Sequence, residues 1–229
     1  MSAAERTRRD RIPLWRDRVL RTALAHADEA GLEGLTMRRL AQMLDVVPMA
    51  LYRHVASKDD LIDGMVDQVF GEIALPSADV EWRAWMRERA ISVRHALVRH
   101  PWATGLMESR RRPGPATLRH HDAVIGRLRA SGFSIQMTAH AYSLMDAYIY
   151  GFAMNQASMP TDPGLATSEL AAQMVEQFPA DEYPHLAEFT FQHVMRPGYD
   201  YGDEFEFGLD LILDGLHRAS RPRRPSSHG

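Results

Sequence analysis

The sequence contains no cysteine among its 229 residues. This absence excludes disulfide bridges, a thiol nucleophile and any zinc site built on cysteine, and it agrees with a reducing cytoplasm. No run of 18 apolar residues occurs, so no transmembrane helix is expected. The first residues are charged where a signal peptide requires an apolar core. We therefore expect a cytoplasmic protein that does not enter a membrane.

The chain also lacks any sustained alternation of apolar and polar residues, which is the pattern of a half-buried β-strand. Apolar residues recur instead at helical spacing along most of the sequence. Hydrophobic residues make up 45% and charged residues 25% of the chain, a composition that argues against disorder. The sequence therefore predicts an all-α fold.

Lysine is nearly absent, since 26 of the 27 basic residues are arginine and Lys58 is the single lysine. The net charge of −3 is unevenly distributed. Residues 1–60 hold 11 basic and 9 acidic residues, whereas residues 61–229 hold 16 basic and 21 acidic ones. The positive end is compatible with an anionic partner, but arginine-rich termini are often only solvated. The arginine-rich arm, 1–14, suits either DNA contact or a solvated tail.

The clearest local pattern lies between residues 15 and 55. A helix is predicted over residues 15–30, with Gly31 as its C-cap. Thr36 can cap a second helix that ends near Asp45, and Pro48 suits the first turn of a third helix. This spacing is that of a helix-turn-helix, in which one helix braces against the DNA backbone and the next enters the major groove.

Two further signals support this unit. Glycine is the least strained residue in such a turn, and Asp45 is among the few others that tolerate left-handed geometry. Ser57 and Asp60 form the capping pattern S-x-x-D, which opens a fourth helix. Leu51 and Val55 should point into a small core. The spacing alone leaves plain helix packing open as an alternative to DNA binding.

Seven more helices are predicted after a break at residues 75–77. They cover residues 80–99, 102–109, 116–130, 134–158, 167–178, 184–195 and 203–219. The segment 134–158 is apolar on nearly every side, which is typical of a helix central to a core or an oligomer interface. A flexible linker is predicted over residues 159–164.

The runs at 35–44, 47–55 and 57–61 resemble the DNA-binding domain of the TetR family of bacterial repressors. The segment 201–216 is similar to the last helix of that family's tetracycline-repressor-like subgroup. The chain departs from the family at Asp45, where glycine is usual. The resemblance implies four parts: the basic arm 1–14, the DNA-binding domain with its connecting helix 15–73, a ligand-binding and dimerisation domain 74–219, and a disordered tail 220–229.

The resemblance also implies an interface with double-stranded DNA. Its residues would be Thr36, Arg38, Pro48, Met49, Ala50, Tyr52, Arg53, His54 and Lys58. Met49 and Ala50 lead the recognition helix, which is predicted over residues 48–54, and suit thymine methyl groups, whereas Arg53 suits guanine or a phosphate. Thr36, Arg38, Tyr52, His54 and Lys58 are assigned to the DNA backbone.

One recognition helix reads too few base pairs for useful affinity, so a homodimer is expected. The apolar faces of residues 134–158 and 205–216 resemble the dimer-forming helices of the family, or else they fill the core of one chain.

The family binds an inducer in its carboxyl-terminal domain, and this chain is rich in methionine and aromatic residues between positions 82 and 154. Most methionine and aromatic side chains lie in a hydrophobic core and contact no ligand. The predicted ligand-binding residues are Met86, Trp102, Met107, His121, Ile125, Met137, His140 and Leu144. His121 and His140 are the polar candidates among them.

No catalytic residues, cofactor or metal site are predicted, because the sequence shows no nucleophile elbow, phosphate-binding loop, dinucleotide fingerprint or metal-ligand spacing of its histidines. The predicted function is that of a bacterial transcriptional regulator associated with the nucleoid through DNA. The favoured form is a homodimeric repressor released from a palindromic operator by a small-molecule inducer. Two alternatives stay open: a DNA-binding regulator without a ligand, and an enzyme with an accessory helix-turn-helix head.

Overall fold

The computed structural model describes residues 15–159 and 181–220. Within these ranges all regular elements are helices, which confirms the predicted all-α fold. The predicted arm 1–14, the linker beyond Met159, the helix 167–178 and the tail beyond residue 220 lie outside the described residues.

The described chain contains nine α-helices, which are numbered here in chain order. They are α1 (Arg16–Ala30), α2 (Met37–Met43), α3 (Pro48–Leu51), α4 (Lys58–Glu72), α5 (Trp82–Arg99), α6 (Pro115–Ala130), α7 (Ile135–Ser158), α8 (Pro184–Phe189) and α9 (Glu204–Ser220). Short 3-10 turns occupy Pro101–Ala103 and Tyr201–Asp203, and a π-turn over Thr190–Val194 follows α8. No helix within 15–159 and 181–220 combines the length and the apolar composition needed to cross a membrane.

The predicted helix 102–109 is not formed. The segment has a 3-10 turn over Pro101–Ala103 followed by irregular turns, because Pro101 begins a tight turn whose hydrogen bonds reach back only three residues. The predicted helix 184–195 is present, as α8 continued by the π-turn Thr190–Val194, whose wider last turn is closed by the hydrogen bond from the Met195 N–H to the Thr190 carbonyl.

The described residues form two compact units. The first comprises residues 15–74 and 95–123, and the second comprises residues 75–94, 124–159 and 181–220. The division falls inside α5 and inside α6, so each of these helices contributes to both units. The domain limits expected from the sequence stay a prediction, since packing units need not coincide with domains.

The first unit has a small apolar core supplied by α1 to α4. Its members include Val19, Ala23, Leu35, Leu40 and Leu61, each almost fully buried. Leu51 and Val55 are 0% and 1% exposed, as predicted. Burying a valine or leucine side chain contributes roughly 1.5–3 kcal/mol, so these few large side chains carry much of the stability of the unit.

In the second unit α7 and α9 pack through aromatic side chains. Tyr148 stacks on Phe205 with ring centroids 5.4 Å apart, and its hydroxyl donates a 2.9 Å hydrogen bond to the Phe205 carbonyl. Gly208 permits this approach, because a Cβ atom at that position would overlap the Tyr148 hydroxyl. Ser134 caps α7 by accepting a hydrogen bond from the backbone N–H of Met137.

A buried ion pair joins α5 to α7 in the second unit. The Arg89 Nη2 atom donates to the Asp146 Oδ1 atom at 2.8 Å, and the two side chains are 0% and 8% exposed. Removing two charges from water has a large free-energy cost. Burial of either charge is therefore tolerated only while its partner is present.

We expect Asp146→Ala to lower the free energy of unfolding by about 3–5 kcal/mol, because it leaves the Arg89 charge buried without its carboxylate. The double variant Arg89→Met/Asp146→Leu should recover most of this difference, since an apolar pair removes the desolvation penalty. Urea unfolding followed by circular dichroism measures both values. Equal destabilisation in the single and double variants would contradict the argument.

Candidate nucleic-acid interface

The helix-turn-helix begins at the capped start of α2. The Thr36 hydroxyl accepts a 3.1 Å hydrogen bond from the backbone N–H of Arg39, which confirms the predicted cap. Asp45 is the only non-glycine residue with positive φ within the described ranges, at 54°, as the turn requires. The backbone N–H of Val46 then bonds to the Ala41 carbonyl at 3.0 Å, which closes the turn ahead of α3.

The start of α3 presents apolar side chains to solvent. Val47 is 69% exposed and Met49 is 72% exposed, and Tyr52 follows at 47%. Leu51, on the opposite side of the same short helix, is completely buried. Burial of one face therefore orients the other face outwards, in the position that a recognition helix occupies.

The recognition helix is shorter than the predicted 48–54. Helix α3 ends at Leu51, and Tyr52, Arg53 and His54 form a turn in which the backbone N–H of His54 bonds to the Leu51 carbonyl at 2.8 Å. The predicted end of this helix was therefore wrong by three residues.

The turn that follows α3 is bound by Arg16, a residue to which no sequence pattern points. Its Nη1 atom donates to the His54 carbonyl at 2.8 Å and to Asp60 Oδ2 at 3.1 Å, and its Nη2 atom donates to Asp60 Oδ1 at 2.9 Å. Arg16 thus ties the end of the recognition segment to the start of α4. The partners lie 38 and 44 residues away in the chain, so no local pattern points to them.

The amino-terminal end of α4 carries two reciprocal caps. Ser57 accepts a 3.1 Å hydrogen bond from the backbone N–H of Asp60, as predicted. The Asp60 carboxylate in turn accepts from the backbone N–H of Ala56 at 2.7 Å. Lys58 occupies the first helical position and is exposed.

The structure places all nine predicted DNA-contacting residues in the first unit. Thr36, Arg38, Pro48, Met49, Tyr52, Arg53 and Lys58 are exposed, and Ala50 and His54 are partly buried. The backbone of His54 has a structural role through Arg16, in addition to the phosphate contact predicted for its side chain.

Comparison with known proteins identifies the architecture. Residues 19–65 match the model of the bacterial regulatory proteins of the tetR family, and residues 75–219 match that of the tetracyclin repressor-like carboxyl-terminal domain. The chain belongs to the TetR family. This family is non-enzymatic, and its members are DNA-binding transcriptional repressors with a ligand-binding carboxyl-terminal domain.

Similar TetR-family proteins come from Streptomyces. The HTH-type transcriptional repressor DrrR1 of Streptomyces coeruleorubidus is 33% identical over 92% of this chain and 80% of its own length. A crystal structure described as a possible TetR family transcriptional regulator of Streptomyces coelicolor A3(2) is 35% identical, with a TM-score of 0.74 over 90% of this chain and all of that one. The Streptomyces coelicolor protein ActR in complex with actinorhodin is 28% identical, with a TM-score of 0.74 over 92% of this chain and all of that one.

The ligand-binding residues predicted from the TetR resemblance are divided between the two units. Met107 and His121 lie together in the first unit, where they line a cavity of about 150 Å³ beside Val66 of α4 and Thr117 of α6. Trp102 also belongs to the first unit, but its indole N–H donates to Asp28 at 2.7 Å and its ring packs against the core of α1 to α4.

The other five lie in the second unit. Met86 is fully buried, Met137 is partly buried, and Ile125, His140 and Leu144 are exposed. Of the eight residues, Met107 and His121 are the two that line a common cavity among the described residues. Their role in ligand binding stays a prediction.

Helix α4 of this TetR-family protein carries a row of carboxylates that sequence reasoning missed. Asp60, Asp63 and Asp67 recur at intervals of three and four residues, which places them on one helix face. Asp63 Oδ1 accepts from Arg110 Nε at 2.5 Å. Asp67 Oδ1 accepts from both the backbone N–H and the hydroxyl of Thr117, at 2.8 and 2.9 Å, and so caps the start of α6.

The far end of α4 is held by a buried histidine. The ring of His100 bonds to Asp28 at 2.7 Å through Nδ1 and to Glu72 at 3.1 Å through Nε2, and it is 5% exposed. Burial alone would raise the pKa of the Glu72 carboxyl, but hydrogen bonds from Arg99 and His100 hold that pKa below its ordinary value. The cluster ties α1, α4 and the end of α5 together.

We expect Arg16→Met to lower the free energy of unfolding by only about 0.5–1 kcal/mol at neutral pH, because its ion pair is partly exposed. The hydrogen bonds from Arg16 hold the pKa of Asp60 below its ordinary value. The stabilisation is therefore complete above about pH 4 and is lost as the pH falls through the lowered pKa. Urea unfolding from pH 7 to pH 2 should show the difference between wild type and variant shrinking below about pH 4.

Arg21→Met is the matched control on the same helix, because it removes the exposed pair with Asp17 and leaves Asp60 untouched. Arg16→Met, unlike Arg21→Met, should also weaken DNA binding, since it frees the His54 carbonyl. An unchanged pH dependence in Arg16→Met would overturn the assignment.

Proposed function

We propose that this TetR-family protein is a homodimeric repressor that binds a palindromic operator and is released from it by a small-molecule inducer. The observation that carries the proposal is the exposed recognition segment of Val47, Met49 and Tyr52, set above a capped α2 and a buried Leu51. We place its action on chromosomal DNA in the cytoplasm.

In the proposed complex α3 and the following turn enter the major groove. Met49 and Ala50 contact thymine methyl groups, and Arg53 donates to guanine or to a phosphate. Thr36, Arg38, Tyr52, His54 and Lys58 bind the backbone, which sets the register of the protein on the duplex. The exposure of Met49, at 72%, supports its role at the base edges.

The proposed dimer forms through α7 and α9. These helices expose large apolar side chains in the single chain, among them Leu144 at 46%, Met154 at 60%, Phe207 at 68% and Leu211 at 56%. Apolar groups on two helices that already pack together form a surface that a second copy can cover. Two recognition segments would then lie about 34–36 Å apart, or a multiple of that distance.

The proposed inducer acts through α4. Three contacts fasten residues 95–123 to this helix, from Arg110 to Asp63, from Thr117 to Asp67 and from His100 to Glu72. A ligand that shifts this segment would therefore shift α4 and the recognition segment tied to it. ActR in complex with actinorhodin supports ligand binding as a general expectation. A coupling free energy of about 1–3 kcal/mol between inducer binding and operator binding is sufficient for this release.

The cavity beside α4 is a candidate for part of the ligand site. Its volume of about 150 Å³ is below the 300–1,000 Å³ typical of pockets for drug-sized ligands, so the ligand would have to enlarge it. Met107 and His121 supply an apolar and a polar wall.

We expect Tyr52→Ala/Arg53→Ala to abolish sequence-specific DNA binding and to leave folding and dimerisation intact, because both side chains are exposed. The wild-type protein is first used to select a site from a random duplex library. Fluorescence anisotropy then compares wild type, the double variant and the control Arg119→Ala, which changes an exposed arginine on α6. Retained binding in the double variant would show that Tyr52 and Arg53 do not belong to the recognition segment. Enrichment of a site without two-fold symmetry would contradict the proposal of a dimer on a palindromic operator.

We expect His121→Ala to reduce the response to inducer and His140→Ala to preserve it, because His121 lines the cavity beside α4 and His140 is exposed. A thermal-shift screen of a chemically broad compound set that includes actinorhodin supplies the ligand. Release of the selected operator duplex is then titrated for both variants. No stabilisation by any compound would favour a regulator without a ligand, and a diminished response only in His140→Ala would move the site to the second unit.

A further inference from the structure

A run of three arginines, Arg110 to Arg112, lies beside the amino-terminal end of α4. A cleft of about 440 Å³ separates the two segments. Ser57, Asp59, Asp60 and Asp63 line its α4 side, and the arginines line the other. Lys58, a predicted phosphate contact, lies between two of these lining residues in the chain. The arginine loop is therefore next to the end of α4 that faces the proposed operator.

Arg110 anchors this loop. Its Nε atom donates to Asp63 at 2.5 Å and its Nη2 atom donates to the Asp59 carbonyl at 3.2 Å. The Arg110 and Asp63 side chains are only 20% and 13% exposed. Arg111 and Arg112 are exposed by contrast, and their guanidinium groups make no hydrogen bond or ion pair with the part of the chain that the structure describes.

The charges around the cleft do not cancel. The carboxylates of Asp60 and Asp63 already pair with Arg16 and Arg110. Asp59 is 85% exposed and lies 3.6 Å from Arg110. Arg111, Arg112 and the neighbouring Lys58 thus leave this end of α4 with surplus positive charge, which attracts a polyanion.

The loop is also close to the recognition segment. Arg16 contacts both the His54 carbonyl and Asp60, so Asp60 lies within one side chain of the recognition turn. The pKa of Asp60 is lowered chiefly by the hydrogen bond from Arg16, and the charge of Arg112 adds to this effect. Arg112 therefore lies near the same carboxylate that holds the recognition turn.

We propose that Arg111 and Arg112 bind the phosphate backbone of the operator beside Lys58, and so extend the DNA interface beyond the helix-turn-helix. The planar guanidinium group is suited to phosphate, and its charge is permanent. Such contacts read no sequence, so they strengthen binding to all duplexes alike. This inference rests on the proposed operator binding.

The test compares wild type with Arg111→Ala/Arg112→Ala. Anisotropy titrations at several salt concentrations use the selected operator duplex and a scrambled duplex of equal length. The slope of log K against log salt should become shallower by about 0.9 for each phosphate that the variant no longer neutralises, or by roughly two per subunit. The affinities for the two duplexes should fall by a similar factor.

Two controls separate a direct phosphate contact from a general effect of charge. Arg119→Ala/Arg196→Ala removes the same charge from exposed positions elsewhere and should leave the slope nearly unchanged. Arg111→Lys/Arg112→Lys keeps the charge and should keep most of the slope. Equal slopes in Arg111→Ala/Arg112→Ala and Arg119→Ala/Arg196→Ala overturn this inference alone. Failure of wild type to bind either duplex overturns both this inference and the proposed operator binding.

Discussion

The organisation of the first unit depends on the carboxylates of α4. Asp60 holds the recognition turn through Arg16, Asp63 holds the arginine loop, and Asp67 caps α6. Each carboxylate has a donor from a different part of the chain, so one helix sets the positions of three separate segments. Because the hydrogen bonds are charged or cap a helix, they are directional as well as attractive. A displacement of α4 would therefore move the recognition turn together with its neighbours.

The two units combine apolar and ionic contacts in different ways. In the first unit the apolar core is small, and polar contacts around α4 fix the orientation of the segments that pack against this helix. In the second unit the ion pair of Arg89 with Asp146 is buried among helices that otherwise pack through aromatic and aliphatic side chains. A buried pair contributes little net stability, but it penalises any arrangement that separates its members. Both units thus use charge mainly to select one geometry.

The local chemistry of the chain was predictable to the extent that it depends on neighbours in sequence. Thr36 and Ser57 cap helices that begin one residue later, and Asp45 adopts the left-handed turn. The recognition helix was predicted three residues too long, and the turn that replaces its last part binds Arg16, which lies 38 residues from His54 in the chain. The ligand residues were the least predictable, because methionine and histidine at helical spacing suit a core, a cavity or a surface equally well.

Sequence patterns were sufficient to establish that the chain is helical, that a helix-turn-helix lies near its amino terminus and that it belongs to the TetR family. These properties follow from periodicity, capping residues and a characteristic run of side chains, all of which act over a few residues. The folded chain was needed to show that residues 95–123 pack with the DNA-binding helices and that Met107 and His121 share a cavity beside α4. It was also needed to show that Arg111 and Arg112 stay exposed while Arg110 is held. These features depend on contacts between residues that are tens of positions apart in the chain. The sequence allows many partners for each residue, whereas the folded chain brings one of them into contact.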